Sequence, residues 1–174
     1  TMVEEIEKDI HRLLNITDRF SKIGSEPVLE QTDLVEETQK SYEYLQSRFS
    51  KQVIFTFKAP EHKIPISINP ILHSWTIENL VKNAIDAMKG RGSIAIIIED
   101  DWKTTKIKIT DSGKGIPKNQ FKTIFEPGFT TKKRGWGLGL SLTKRIVEEY
   151  HNGRIKVLQS ELNKGTTIEI SFKR

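Results

Sequence analysis

A strand, a glycine-punctuated turn, a long irregular stretch and a second glycine-punctuated turn opening a helix follow one another between residues 103 and 150. This order restricts the fold more than any other feature of the chain. The first turn reads D-S-G-K-G-I-P from Asp111, and the second reads G-W-G-L-G-L from Gly135. Between them the chain carries Pro117 and Pro127 and no sustained apolar period. Irregular stretches this long inside a compact domain are usually functional. Upstream lies a helical pattern, E-N-L-V-K-N-A-I-D-A from Glu78.

Apolar residues in 2–23 recur with the spacing of one helix face, and Gly24 and Pro27 end that helix. A helix standing outside a compact domain needs a partner to cover its stripe. Residues 29–34 read as an extended connector, 34–49 as a helix and 52–57 as a strand, with 60–68 a short edge strand around Pro65. Pro70 opens a helix to about Met88. Strands are expected at 93–99, 103–110, 154–159 and 166–172, and a helix at 138–150. The mixture predicts an α+β protein. Its form is a two-layer α/β sandwich: one mixed, mostly antiparallel sheet with helices on one face, plus the N-terminal helix.

Composition removes several classes of function. There are no cysteines, so disulfides and Cys-based zinc sites are excluded, and His11, His62, His73 and His151 lack metal-ligand spacing. No apolar run reaches the roughly 18 residues of a membrane helix. The formal charge is +5, but its densest run, Lys132-Lys133-Arg134, sits between glycine-rich segments. That placement suggests a small phosphorylated ligand, and no nucleic-acid partner is expected.

Asn79, Asn83 and Asp86 fall at i, i+4 and i+7, on one helical face. An amide oxygen there suits Mg²⁺, which takes a few protein oxygens plus phosphate oxygens; an amphipathic helix with an exposed polar face explains the same residues. Asp111 can accept a hydrogen bond from an exocyclic amine, while Gly113 and Gly115 let the backbone approach a flat ring. An Asx turn is the plain alternative. Gly135, Gly137 and Gly139 precede a helix and offer free amides to an anion, or serve as hinges. Their G-x-G-x-G spacing is neither the Rossmann nor the Walker A pattern. Phe125 and Phe129 either anchor the loop or touch a ligand. Thr130, Thr131, Lys132 and Arg134 supply hydroxyls and cations suited to phosphate. Thr166, in G-T-T, puts a hydroxyl near the pocket floor or belongs to a hairpin turn. Together the pieces describe a nucleotide pocket with a mobile cover.

In this order they resemble the ATP-binding catalytic domain of sensor histidine kinases, within the superfamily of gyrase, mismatch-repair and heat-shock-chaperone ATPases. The resemblance covers roughly residues 34–172, and G-W-G-L-G-L-S-L-T-K-R-I-V-E-E-Y-H-N-G is its most specific part. It implies a Bergerat-type ATP-binding fold, with ATP and Mg²⁺ as cofactors. E-N-L-V-K-N-A becomes the N box, with Asn79 and Asn83 at the catalytic centre and Asn83 on the metal. D-S-G-K-G becomes the first G box, with Asp111 on the adenine amino group and Ile116 beside it. F-E-P becomes the F box, and Gly135, Trp136, Gly137, Leu138, Gly139 and Leu140 form the second G box behind a lid. Trp136 stands where the family more often has a small polar residue. Asp86 and Ala87 replace the basic and aromatic residues that often follow the N box.

ATP-hydrolysing relatives usually carry glutamate at the place of Asn79, which cannot act as a base. The resemblance therefore implies a protein-histidine kinase. Residues 1–27 would be the C-terminal part of a dimerisation and phosphotransfer hairpin, and 28–174 the catalytic domain. His11 lacks the acidic residue and proline that accompany an acceptor histidine, so the acceptor is expected outside this chain. The implied partners are a response-regulator receiver domain and a second copy through the hairpin. The implied location is cytoplasmic, with any membrane attachment outside this fragment. An ATP-hydrolysing relative, a serine-directed anti-sigma-type kinase and a degenerate binding module remain as alternatives.

Overall fold

The computed structural model describes residues 2–4, 27–129 and 139–174. Most of the expected N-terminal helix, His11 included, lies outside them.

Strand β1 (Glu30–Asp33) leads into helix α1 (Leu34–Phe49). Asp33 starts that helix by accepting the Val35 N–H at 3.2 Å, and the same oxygen accepts the Ile64 N–H at 3.0 Å. One carboxylate thus caps a helix and pins a distant loop. Strands β2 (Val53–Lys58) and β3 (Pro65–Ile68) follow, then helix α2 (Pro70–Ala87). Asn69 caps α2 through the Leu72 N–H at 3.1 Å, and Pro70 occupies the first turn, where its missing N–H is harmless. β4 (Gly92–Asp100) and β5 (Thr104–Asp111) form a hairpin. Short helix α3 (Gly139–Arg145) continues into a π-helical turn at Ile146–Tyr150, and β6 (Arg154–Glu161) and β7 (Gly165–Lys173) close the chain.

The five-stranded sheet runs β2-β4-β5-β7-β6. β2 lies parallel to β4 and every other pairing is antiparallel. Strand residues alternate as a half-buried sheet requires. Ile94, Ile96, Ile98, Ile107, Ile109, Ile170 and Phe172 turn inward onto Leu80, Val81, Ala84 and Ile85 of α2. Thr56, Lys58, Lys106 and Lys108 take the other face. Each fully buried Ile or Leu contributes about 1.5–3 kcal/mol. Among the described residues no helix is long and apolar enough to cross a membrane.

Two expectations need adjusting. The supposed connector at 29–34 contains β1, which pairs antiparallel with β3 in a separate two-stranded ribbon. Its residues, Glu-Gln-Thr-Asp, have no apolar alternation, so only the distant partner makes it a strand. The irregular stretch after β5 also contains two short 3₁₀ turns, Lys118–Gln120 and Thr123–Phe125.

Candidate functional site

Four segments converge at one end of the sheet: the C-terminal half of α2, the turn after β5, the β6–β7 hairpin and the start of α3. Asp111 is the last residue of β5. Its Oδ1 accepts the Gly113 N–H at 2.8 Å, and the Thr166 backbone N–H also bonds the carboxyl. Burial lifts its pKa above the usual carboxylate range, and these two amides only partly offset the effect. Among the described residues no cation pairs with it. The result is a half-buried carboxylate with spare acceptor capacity.

The glycines around it are demanded by contact. A Cβ on Gly113 would stand 2.7 Å from the carbonyl oxygen of Ala87, so the loop rests directly on the end of α2. The Lys114 N–H bonds that same carbonyl at 3.0 Å. Gly115 has φ +79° and would drive a Cβ into the Glu161 carbonyl. The Asn163 N–H reaches the Lys114 carbonyl at 2.8 Å. The first glycine turn is therefore clamped between α2 and the β6–β7 hairpin.

The asparagines divide. Asn79 is 7% exposed. Its Nδ2 donates to Thr143 Oγ1 at 2.9 Å, and that hydroxyl donates to the Gly139 carbonyl at 2.8 Å. A Cβ on Gly139 would lie 3.1 Å from Asn79 Oδ1. Asn79 thus ties α2 to the start of α3. Asn83, one turn further on, is half-buried, as is Asp86. Leu140 and Ile116 are half-buried and pack against the core, and Phe125 is buried within it beside Ile124. Thr166 is buried opposite Asp111. Thr130, Thr131, Lys132, Arg134, Gly135, Trp136, Gly137 and Leu138 lie outside the described residues.

A cavity of about 300 Å³ is lined by the ends of β5, β6 and β7, including Asp111, Ser160 and Thr166. It takes no lining from α2 or α3, so by itself it does not unite the aspartate with the asparagines. Among the described residues no group of three His, Cys, Asp or Glu side chains could hold a metal. A divalent cation here would need a hard amide oxygen such as that of Asn83, with the rest supplied by phosphate and water. That suits Mg²⁺. Sequence reasoning missed Thr143 and Ser160. Thr143 is signalled by its spacing, four residues after Gly139 on the same helix face; Ser160 has no local signal.

The model of the family described as "Histidine kinase-, DNA gyrase B-, and HSP90-like ATPase" matches residues 71–174. Sporulation kinase A of Bacillus subtilis (strain 168) is 43% identical over 96 residues, 55% of this chain and 16% of that protein. Sensor histidine kinase ZraS of Escherichia coli (strain K12) is 38% identical over 121 residues, 70% of this chain and 26% of that protein. The chain therefore spans about a quarter or less of these relatives' length. Among solved structures, the catalytic domain of histidine kinase ThkA superposes with a TM-score of 0.74 at 29% identity, covering 83% of this chain and 95% of that one. ThkA in complex with response regulator protein TrrA gives a TM-score of 0.73 at 27% identity, covering 97% of this chain and 49% of that one. With the matched segment spanning α2 to the end of β7, this chain belongs to the histidine kinase-, DNA gyrase B- and HSP90-like ATPase family.

Proposed function

We propose that this chain holds ATP·Mg²⁺ between α2 and the 130–138 segment and passes the γ-phosphoryl group to a histidine elsewhere in the protein. Asp111 accepts from the adenine amino group, Asn83 supplies an oxygen to Mg²⁺, and the cations and hydroxyls of 130–134 meet the phosphates. Bound Mg²⁺ would neutralise charge on the transferring phosphate; the chain itself positions the nucleotide and excludes water. Residues 1–27 are assigned to the phosphotransfer hairpin, which also joins two copies. A response-regulator aspartate receives the phosphoryl group next, a step supported by the relative ThkA, solved with a response regulator.

The observation that carries transfer over hydrolysis is Asn79. Its amide is engaged with Thr143 and can remove no proton from water. Titration calorimetry with ATP, with and without Mg²⁺, tests the reading. Asn83→Ala should lose about tenfold in affinity, a Mg²⁺-linked change of roughly 1.4 kcal/mol, and keep its Mg²⁺-free affinity. Equal Mg²⁺ dependence in both proteins would refute the metal role. Steady phosphate release without an acceptor would point to an ATPase instead.

A further inference from the structure

β6 carries an irregularity whose consequence lies in the site. Val157 pairs with Ile168, yet Gln159 pairs with Thr167, so Leu158 is an extra residue. Side chains alternate strictly along a strand, so one inserted residue exchanges the faces of everything beyond it. Without the bulge Gln159 would stand beside Thr166. With it, Ser160 does, on the face that Thr166 shares with Asp111.

The re-aimed hydroxyl is fully engaged. Ser160 Oγ accepts the Ile116 N–H at 2.7 Å and donates to the Gly165 carbonyl at 3.1 Å. It also lies 2.7 Å from Thr166 Oγ1. A serine has one proton to give. The Gly165 carbonyl can only accept; with the Ser160 proton placed there, Thr166 is the donor in the remaining bond, where distance alone would allow either hydroxyl to give the proton. With its proton committed to Ser160, the Thr166 oxygen can only accept. Beside it the Asp111 carboxylate is likewise an acceptor.

We infer that Ser160 is a positioning residue for base selection: it orients the Thr166 hydroxyl so that the Asp111–Thr166 pair offers acceptors alone. A purine bearing an amino group at position 6 satisfies such a pair, whereas a 6-keto purine meets oxygen against oxygen. The same hydroxyl fixes Ile116 and hence the turn after Asp111. This assignment rests on the reading of the site as a nucleotide pocket.

Calorimetry with ADP and GDP on the wild-type chain, Ser160→Ala and Ser160→Thr tests it, with thermal unfolding recorded for each. Ser160→Ala frees the Thr166 proton to turn toward a keto oxygen. ADP binding should weaken about tenfold while GDP binding changes less than twofold, so that discrimination collapses. Ser160→Thr should restore the wild-type ratio. A purely structural serine would weaken both nucleotides by one factor and leave the ratio intact, and that result overturns the assignment. Should Ser160→Ala fail to fold, Thr166→Val removes the same oriented hydroxyl, and an unchanged ADP-to-GDP ratio there is equally fatal. Folded wild-type protein that binds neither nucleotide would overturn the nucleotide reading along with this one; wild type that prefers ADP, with the ratio kept in Ser160→Ala, overturns only the role of Ser160.

Discussion

β4 and β5 each finish on an aspartate, at opposite ends of one hairpin, and the two carboxylates live in opposite circumstances. Asp100 has a side chain 0% exposed, with His62 Nε2 at 2.8 Å and an Arg174 guanidinium nitrogen at 3.2 Å. Thr105 Oγ1 and the Trp102 N–H donate to its other oxygen at 3.0 and 3.2 Å. Burial alone would raise its pKa, but the bonds from His62, Thr105 and Trp102 and the charge of Arg174 outweigh it and hold the carboxyl below its usual range. The Trp102 ring stacks on His62 at 4.3 Å and lies under Arg174. Asp111 is given two backbone amides and no described cation, and its pKa moves the other way. A carboxylate supplied with its counter-charges is a structural joint. One buried without them is destabilised until a donor arrives, which is the signature of a binding group.

Exchanging each aspartate for asparagine should separate the two roles. Asp100→Asn leaves His62 and Arg174 without their anion, and stability should fall by about 3 kcal/mol in urea unfolding with ADP affinity unchanged. Asp111→Asn should weaken ADP about 100-fold, close to 2.7 kcal/mol, while leaving the unfolding midpoint level or higher because a desolvated charge has been removed. If Asp111→Asn unfolds the domain, or Asp100→Asn abolishes binding, the contrast breaks.

Acid sharpens it next. His73 is pushed down to about 3 by burial and by neighbouring His151, and His151 to about 4 by burial. His73 Nε2 lies 2.9 Å from Thr38 Oγ1, and His151 Nε2 accepts the Asn69 N–H at 3.1 Å. Both stay neutral in the fold while the unfolded chain protonates them near pH 6.5. Their contribution is complete above that value and declines as pH falls toward 4, by about 2 kcal/mol each at pH 5. Asp100 behaves differently: with its folded pKa depressed, its contribution is complete above the ordinary carboxylate pKa of the unfolded chain and is lost as pH falls from there through the lowered folded value. Asp111 should begin to lose nucleotide on acidification earlier than an ordinary carboxylate would. Unfolding curves from pH 7 to about pH 2, alongside ADP titrations, check all three signs. The smallest expected effect is at Trp102, which has φ +69°. Trp102→Gly relieves that backbone but forfeits the stack, so the net change should stay within about 1 kcal/mol.

The elements that repeat locally were legible from the residues alone. α1, α2, β4 and β5 appear where periodicity places them, because each carries an apolar face long enough to declare itself. Asp111, Gly113 and Gly115 were legible because a turn needing bare backbone must be written in glycine. β1 was not, since four polar residues become a strand only through β3. Ser160 was hidden for a related reason: R-I-K-V-L-Q-S-E does not reveal where its alternation slips, and the slip is defined against β7.

Residue types, their order and their periods determined the layered sheet-and-helix architecture and nominated an aspartate, two asparagines and two glycine turns. Those are properties of a chain with its near neighbours. Which aspartate is satisfied and which is left waiting, that Asn79 is spent on Thr143, and that a bulge hands Ser160 to Thr166 were decided only in three dimensions. Hydrogen bonding and desolvation depend on groups brought together from distant parts of the chain, and no local pattern encodes that company.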